Sequence, residues 1–370
     1  MKIGSVKEIK NNEFRVGLSP DNVKAYVNAG HLVYMEKDAG LGSGFSTEEY
    51  QASGATILET AREVWDTADM IVKVKEPLEP EYQYFREDLI VYTYLHLAAD
   101  RPLTDAMLQS KVKGVAYETL MEPNGSLPLL APMSQIAGRL SVQEGAKYLE
   151  RPMGGSGVLL SGVPGTPKAN VVILGAGTVG TNACKIAVGM GANVTITDIN
   201  LARLAYLDDV FGARIQTLYS TDAAVEKAVT QADLVIGSVL IPGKKADKII
   251  KRSYLGKMRP GSVIVDVAVD QGGCCETTKV TYHDSPIFVV DGVVHYCVGN
   301  MPGAVPRTST IALTNATLRY GLQIAAGGLE EACRKNPVLY SAVNTYGGTC
   351  TCKNVADGFR MEYCPAQQMF

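Results

Sequence analysis

Along the first 128 residues, short apolar runs alternate with amphipathic stretches. KIGSV, LVYMEK, MIVKVKEP, LIVYTYLH and GVAYETL crowd β-branched and aromatic side chains into short runs, the pattern of buried strands. NVKAYVNAG and TAREVWDTA instead space their apolar residues as one face of a helix. Strand alternating with helix predicts a parallel sheet with crossover helices. At EPNGSLPLLAPMSQIAG the periodicity breaks on Pro123, Asn124, Gly125, Pro128 and Pro132, before a helical pattern from Ser134 to Leu149. A domain boundary is expected there. The Gly/Pro-rich connection RPMGGSGVLLSGVPGTPKAN then leads to five strand candidates: VVILGAG, NVTITD, the DLVIGSVL run, SVIVDVAVD and IFVVDGVVHYC. From Thr308 a long helical stretch, STIALTNATLRYGLQIAAGG, leaves this second domain. The C-terminal residues, with no strand set of their own, are expected to return to the first domain.

Composition narrows the partners. With 370 residues, 46% hydrophobic and 20% charged, the chain is long enough for two cores and is ordinarily globular. Thirty-five basic against 38 acidic side chains give a net charge of -3 without long runs of one sign, so neither a nucleic-acid footprint nor a polybasic membrane anchor is expected. Apolar windows are broken well before spanning length, and MKIGSVKEIK lacks the apolar core of a signal peptide. A cytoplasmic protein acting on small molecules is the expectation. Eight cysteines without a C-x-x-C pair predict reduced thiols. No metal is expected, because Cys350 and Cys352 have no second pair or histidine at zinc spacing.

VVILGAGTVGTNACKIAVGMGANVTITD carries the clearest chemistry. Gly175, Gly177 and Gly180 form G-x-G-x-x-G between a strand and a helix, and Asp198 ends the next strand at roughly the 20-residue interval of dinucleotide-binding units. Gly175 permits the tight turn, Gly177 lets the backbone approach a pyrophosphate at the helix N-terminus, and Gly180 allows close helix and strand packing. Asp198 suits the adenosine ribose hydroxyls and repels a 2′-phosphate, which favours NAD over NADP. Arg203, a turn into the next helix, suits adenine stacking, a carboxylate or solvent. The fold class read from these features is α/β, with two Rossmann-like doubly wound domains and a cleft between them. Residues 1–128 with 307–370 form a discontinuous substrate domain, and 129–306 form the NAD-binding domain.

Polar residues at strand ends of the first domain are the substrate candidates. Arg15 has a guanidinium suited to bidentate carboxylate binding or to a surface ion pair. Lys75 ends an apolar strand and faces either solvent or a cleft. His96, one of four histidines, occupies the comparable end of LIVYTYLH; its residue type fits proton transfer and its surroundings fit a packed core. In SVIVDVAVDQGGCCET, Asp266 reads as structural, and Asp270 as either a catalytic carboxylate or a turn cap. Cys274 and Cys275 read as space-filling.

Together, KEIKNNEFRVGLSP, MIVKVKEP, YTYLHLAAD, APMSQIAGRLSVQEGAKYLE, GVLLSGVPGTPKANVVILGAGTVGTNA, DVAVDQGGCCET and VVHYCVGNMPGAVPRTST resemble the alanine dehydrogenase and transhydrogenase NAD-binding subunit family over almost the whole chain. The resemblance implies L-alanine binding by Arg15 and Lys75, acid/base chemistry at His96 and a catalytic role for Asp270. It implies products pyruvate and ammonium. NAD contacts are implied at Ser134, Gly177, Val179, Asp198, Arg203, Ser220, Val239, Leu240, Val267, Asn300 and Met301, and the assembly implied is a homohexamer. Gly299 stands where the family commonly has alanine, and the C-terminal segment is unusually cysteine-rich for it. Two rival readings keep the nucleotide fold: a subunit of a proton-translocating transhydrogenase, and an NAD-sensing protein without turnover.

Overall fold

A computed structural model describes residues 1–239 and 247–370. The described chain divides into two compact units, Met1–Met133 with Val305–Phe370 (unit 1) and Ser134–Ala304 (unit 2). The first segment of unit 1 contributes β1 (Lys2–Ser5), β2 (Leu32–Glu36), β3 (Thr56–Leu58), β4 (Met70–Val72), β5 (Ile90–Thr93) and β6 (Lys113–Ala116). Unit 2 contributes β7 (Asn170–Leu174), β8 (Asn193–Asp198), β9 (Ile215–Tyr219), β10 (Leu234–Gly237), β11 (Val263–Asp266), β12 (Ile287–Val290) and β13 (Val293–Tyr296). The returning segment adds β14 (Val343–Tyr346) and β15 (Thr349–Cys350) to unit 1.

Both sheets are doubly wound. In unit 1 the order is β15-β14-β6-β5-β4-β1-β2-β3, and in unit 2 it is β12-β13-β11-β10-β7-β8-β9. The strand order reverses between β1 and β4 in one unit and between β7 and β10 in the other. Loops leaving the carboxyl ends of strands at such a reversal part to opposite sides and leave a crevice for ligands.

Each sheet is parallel except at one edge. IFVVDGVVHYC, read from sequence as a single strand, is two: β12 and β13 pair antiparallel. Asp291 and Gly292 sit between them at φ 50° and 81°. Two consecutive positive-φ residues make a tight hairpin turn whose twist matches the strands it joins, so Asp-Gly was the signal for a reversal here. β9 and β3 also lie outside the predicted set; both are short edge strands with mostly half-exposed or exposed side chains. The C-terminal strands extend the first sheet, with β14 antiparallel to β6.

Local chemistry explains where the elements begin. Ser19 caps the helix Pro20–Asn28 by accepting from the Asn22 N–H, with proline at the helix start. Thr60 and Glu63 form a reciprocal capping box ahead of Ala61–Thr67. Trp65 from that helix is fully buried in unit 1 with Ile71, Leu89 and Val91, and stacks on Tyr84 at 5.8 Å. The helix Pro306–Lys335 kinks at Gly328, whose φ of 82° is not helical. In unit 2, Val172, Leu174, Val235 and Ile264 form a core with the buried Cys274 and Cys275.

Candidate functional site

The loops after β1, β4 and β5 carry the substrate candidates of unit 1. A Cβ on Gly17 would lie 2.2 Å from the Val72 carbonyl oxygen, so only glycine lets the Arg15 loop settle on the end of β4. Arg15 is 2% exposed. Its guanidinium meets Glu13 through Nε to Oε1 at 2.7 Å and Nη2 to Oε2 at 2.5 Å, and Nη1 lies 3.0 Å from the Met133 sulfur. Burial disfavours its charge, but the Glu13 hydrogen bonds reverse that and hold it protonated. The surface ion pair considered for Arg15 is thus a buried one, in which Glu13 orients the fork.

Lys75 and His96 do not end their strands. β4 stops at Val72 and β5 at Thr93, and both residues lie in the turns beyond. Pairing continues irregularly past Val72, with Lys73 N–H donating to Tyr92 O and Tyr94 N–H to Val74 O. A buried carboxylate and a half-buried one then capture the backbone. Glu8 accepts from Val74 N at 2.6 Å and Lys75 N at 3.1 Å. Glu118 accepts from Leu95 N at 3.2 Å and His96 N at 2.6 Å. With those donors turned aside, His96 takes a left-handed backbone, φ 50°, ahead of the short turn Leu97–Ala99. Such a conformation is uncommon for a residue with a Cβ and marks a position held by its surroundings.

The carboxylate of Glu76 brings the set together. Its Oε2 lies 3.2 Å from His96 Nδ1, and its Oε1 pairs with Lys10. Burial alone would raise its pKa, yet the His96 hydrogen bond and nearby Lys75 and Lys10 hold it far below the usual carboxylate range. Lys75 is lowered, first by burial and then by the cationic Arg15 and Lys10, against the pull of Glu76. A lysine so poised responds strongly to an arriving carboxylate. Beneath these loops Lys73, fully buried, bridges Glu8 at 3.1 Å and Glu81 at 2.8 Å.

In unit 2 the glycine loop occupies the β7/β10 reversal. Gly175 has φ 100°, and a Cβ on it would meet Ser238 O at 2.9 Å. A Cβ on Gly180 would lie 1.8 Å from Gly175 O, so the helix Thr178–Gly189 can start this close only with glycine. A Cβ on Gly177 would meet no protein atom within 4 Å. Open space above an N-terminal helix turn fits a pyrophosphate group. Asp198 accepts from Ala176 N at 2.6 Å and Asn200 N at 2.8 Å, which fixes its carboxylate beside the loop. Arg203 donates to Ala176 O and Thr181 Oγ1, each at 2.8 Å, and lies over the Tyr206 ring. These contacts make Arg203 an anchor for the glycine loop, a role that was not among its sequence readings.

Of the remaining cofactor candidates, Ser220 and Val239 adjoin this loop. Ser220 is bonded through its backbone to Asp198 O and through its hydroxyl to Thr197. Val239 N is close to Gly175, and Val267 N–H donates to Gly237 O. Gly138, one turn after Ser134 on the helix Ala131–Tyr148, packs on the Val179 carbonyl. Leu240 lies outside the described residues. Asp270 sits not on β11, which ends at Asp266, but in a short turn, Val269–Gln271, with its side chain exposed. Asn300 N lies 3.5 Å from Asp270 Oδ2, and Met301 begins the buried turn Met301–Ala304. Asp266 is structural: fully buried, it accepts from the N–H groups of Ala268, Cys274 and Cys275. His295 is a core histidine, bonded to Thr277 and Val293 and lowered in pKa by burial.

An alanine dehydrogenase/PNT N-terminal domain matches residues 4–137, and the corresponding C-terminal domain matches residues 141–353. The chain belongs to the alanine dehydrogenase/PNT family. Within that family it is 57% identical to an alanine dehydrogenase of Methanococcus maripaludis, over 100% of this chain and 99% of the relative. A solved L-alanine dehydrogenase superposes with a TM-score of 0.95 at 52% identity, covering 97% of this chain and 99% of that one. A transhydrogenase structure from Sinorhizobium meliloti is more distant, with a TM-score of 0.81 at 26% identity over 95% and 99% of the two chains. The helical content includes no helix long and apolar enough to cross a membrane among the described residues. Nor do those residues contain a cluster of three His, Cys, Asp or Glu side chains able to hold a metal ion.

For this member of the alanine dehydrogenase/PNT family, Gly299 has a local consequence. A Cβ there would stand 3.0 Å from Asp270 Oδ1, so the missing methyl leaves that carboxylate room. Glu13, Glu76 and Glu118 carried no signal in the sequence pattern. Glu76 adjoins Lys75 in K-V-K-E-P and was the one within reach, but its partner lies twenty positions on, beyond any helical or strand period.

Proposed function

We propose that this chain catalyses the reversible NAD-dependent oxidative deamination of L-alanine to pyruvate and ammonium. The observation that carries the reading is the gathering of Arg15, Lys75 and the Glu76–His96 pair on the loops of one sheet reversal, in a chain 57% identical end to end to an alanine dehydrogenase. The lower identity to the transhydrogenase structure, 26%, favours amino-acid chemistry over transfer between nucleotides.

Arg15 and Lys75 bind the substrate carboxylate, Arg15 through a guanidinium that Glu13 orients and Lys75 through an ammonium that makes no hydrogen bond or ion pair among the described residues. Held so, the amino acid presents its Cα hydrogen in one orientation, which removes part of the entropic barrier. The glycine loop and Asp198 would hold NAD, which when bound would supply the two-electron acceptor for that hydrogen. The amino group gives up a proton before the hydride leaves, so that its lone pair forms the C=N bond. Water then adds to the iminopyruvate carbon and His96 takes a proton from it. That proton passes to the carbinolamine nitrogen as the carbon–nitrogen bond breaks, and the hydroxyl proton goes to the departing ammonia, giving pyruvate and ammonium. Asp270 steadies the cationic imine and ammonium. Assembly as a homohexamer and a cytoplasmic location belong to the same reading, and sedimentation of the purified protein checks the first.

Purified protein given NAD and a panel of small L-amino acids should form NADH with alanine; no NADH with any of them sinks the proposal. Asp198→Ala should raise KM for NAD about tenfold to a hundredfold, the worth of hydrogen bonds to a charged group, and narrow the preference over NADP. An unaltered KM contradicts the ribose role.

A further inference from the structure

We infer that Glu76 is the positioning residue of His96, locking its ring in the tautomer with the proton on Nδ1 and leaving Nε2 as the atom that exchanges protons. The inference rests on the acid/base reading of His96 and adds the group that makes one ring nitrogen the active one.

The two oxygens of Glu76 have separate tasks: Oε1 holds Lys10 and Oε2 faces His96 Nδ1 at 3.2 Å. Its side chain is 10% exposed, whereas that of His96 is 43% exposed. A carboxylate kept ionised can only accept, so Nδ1 must donate. Nε2 makes no hydrogen bond among the described residues and keeps its lone pair. The ring cannot swing away cheaply, because Glu118 fixes the backbone N–H and Tyr94 stacks on the imidazole at 5.8 Å and 22°. Tyr94 is itself anchored by its hydroxyl donating to Leu129 O at 2.6 Å. The charged and titratable groups around His96 are therefore Glu76, Glu118 and Tyr94, with Lys10 and Lys75 acting through Glu76 and Asp100 capping the next helix. Lys10 shares the Glu76 carboxylate with the ring.

The arrangement predicts shifts of opposite sign. Glu76→Gln removes the negative charge and should lower the titration midpoint of His96 by about one pH unit. Lys10→Met leaves Glu76 unshared and should raise it. With four histidines in the chain, protein carrying nitrogen-15 histidine gives a small set of ring signals, and loss of one in His96→Asn assigns it. In the wild type the neutral ring should carry its proton on Nδ1. The acid limb of kcat for alanine oxidation should move with the midpoint in each variant, with kcat falling about tenfold or more in Glu76→Gln and KM for alanine changing far less. A midpoint and tautomer unmoved in both variants, or a neutral ring protonated on Nε2, overturns the inference. Turnover surviving in His96→Asn strikes instead at the acid/base reading, and the ring signals still decide the role of Glu76.

Discussion

Replacing His96 should lower kcat for L-alanine oxidation about a thousandfold, within the range lost when a positioned acid/base group is removed. Asparagine is the better replacement. The backbone at this position is left-handed, with φ 50°, and asparagine tolerates that region where alanine is strained. It cannot take up a proton in the working range, so His96→Asn removes the chemistry and keeps the turn that Glu118 ties. NAD affinity, measured by fluorescence titration, should be unchanged, because the glycine loop and Asp198 belong to the other unit. A kcat within a few-fold of wild type would show that the ring is only packed, by Tyr94 on one side and Glu76 on its edge.

The second large effect is on stability. Lys73→Met should cost about 3–5 kcal/mol, the usual penalty for leaving buried charge without its partner, read as a shift in the denaturant midpoint at constant slope. Lys73 is fully buried, and its protonated form is favoured by Glu8 and Glu81 against the cost of burial. Without it, two carboxylates remain in the core. Glu8 is already raised above the ordinary carboxylate value, first by burial and also by Glu81. The variant should push Glu8 further up, so the folded state binds more protons than the unfolded chain. Its deficit therefore grows as pH rises past about 4.3 and shrinks in acid, where the carboxyls are neutral. A deficit independent of pH would rule out an electrostatic origin. Adding Glu81→Gln should recover part of the loss, since one carboxylate is then neutral and the other remains to hold Val74 and Lys75 N–H. KM for alanine should also rise in Lys73→Met, because Glu8 sets the backbone from which Lys75 projects.

Residue type and spacing were enough for the alternation of strand and helix, for the glycine loop with Asp198, and for Arg15, Lys75 and His96 as polar residues in an apolar setting. Those features are local: a strand, a turn or a helix start depends on side chains a few positions apart. The Asp291–Gly292 reversal was equally local and legible in principle. What only the tertiary structure decided is how each candidate is held. β4 and β5 end before Lys75 and His96 because Glu8 and Glu118 take their backbone donors, and Arg15 is oriented by a buried Glu13. Glu76 reaches His96 across two neighbouring strand ends. These carboxylates are ordinary polar residues in the chain; full or partial burial beside a cation or a backbone N–H gives them their effect, and burial is a property of the fold rather than of any short stretch of sequence.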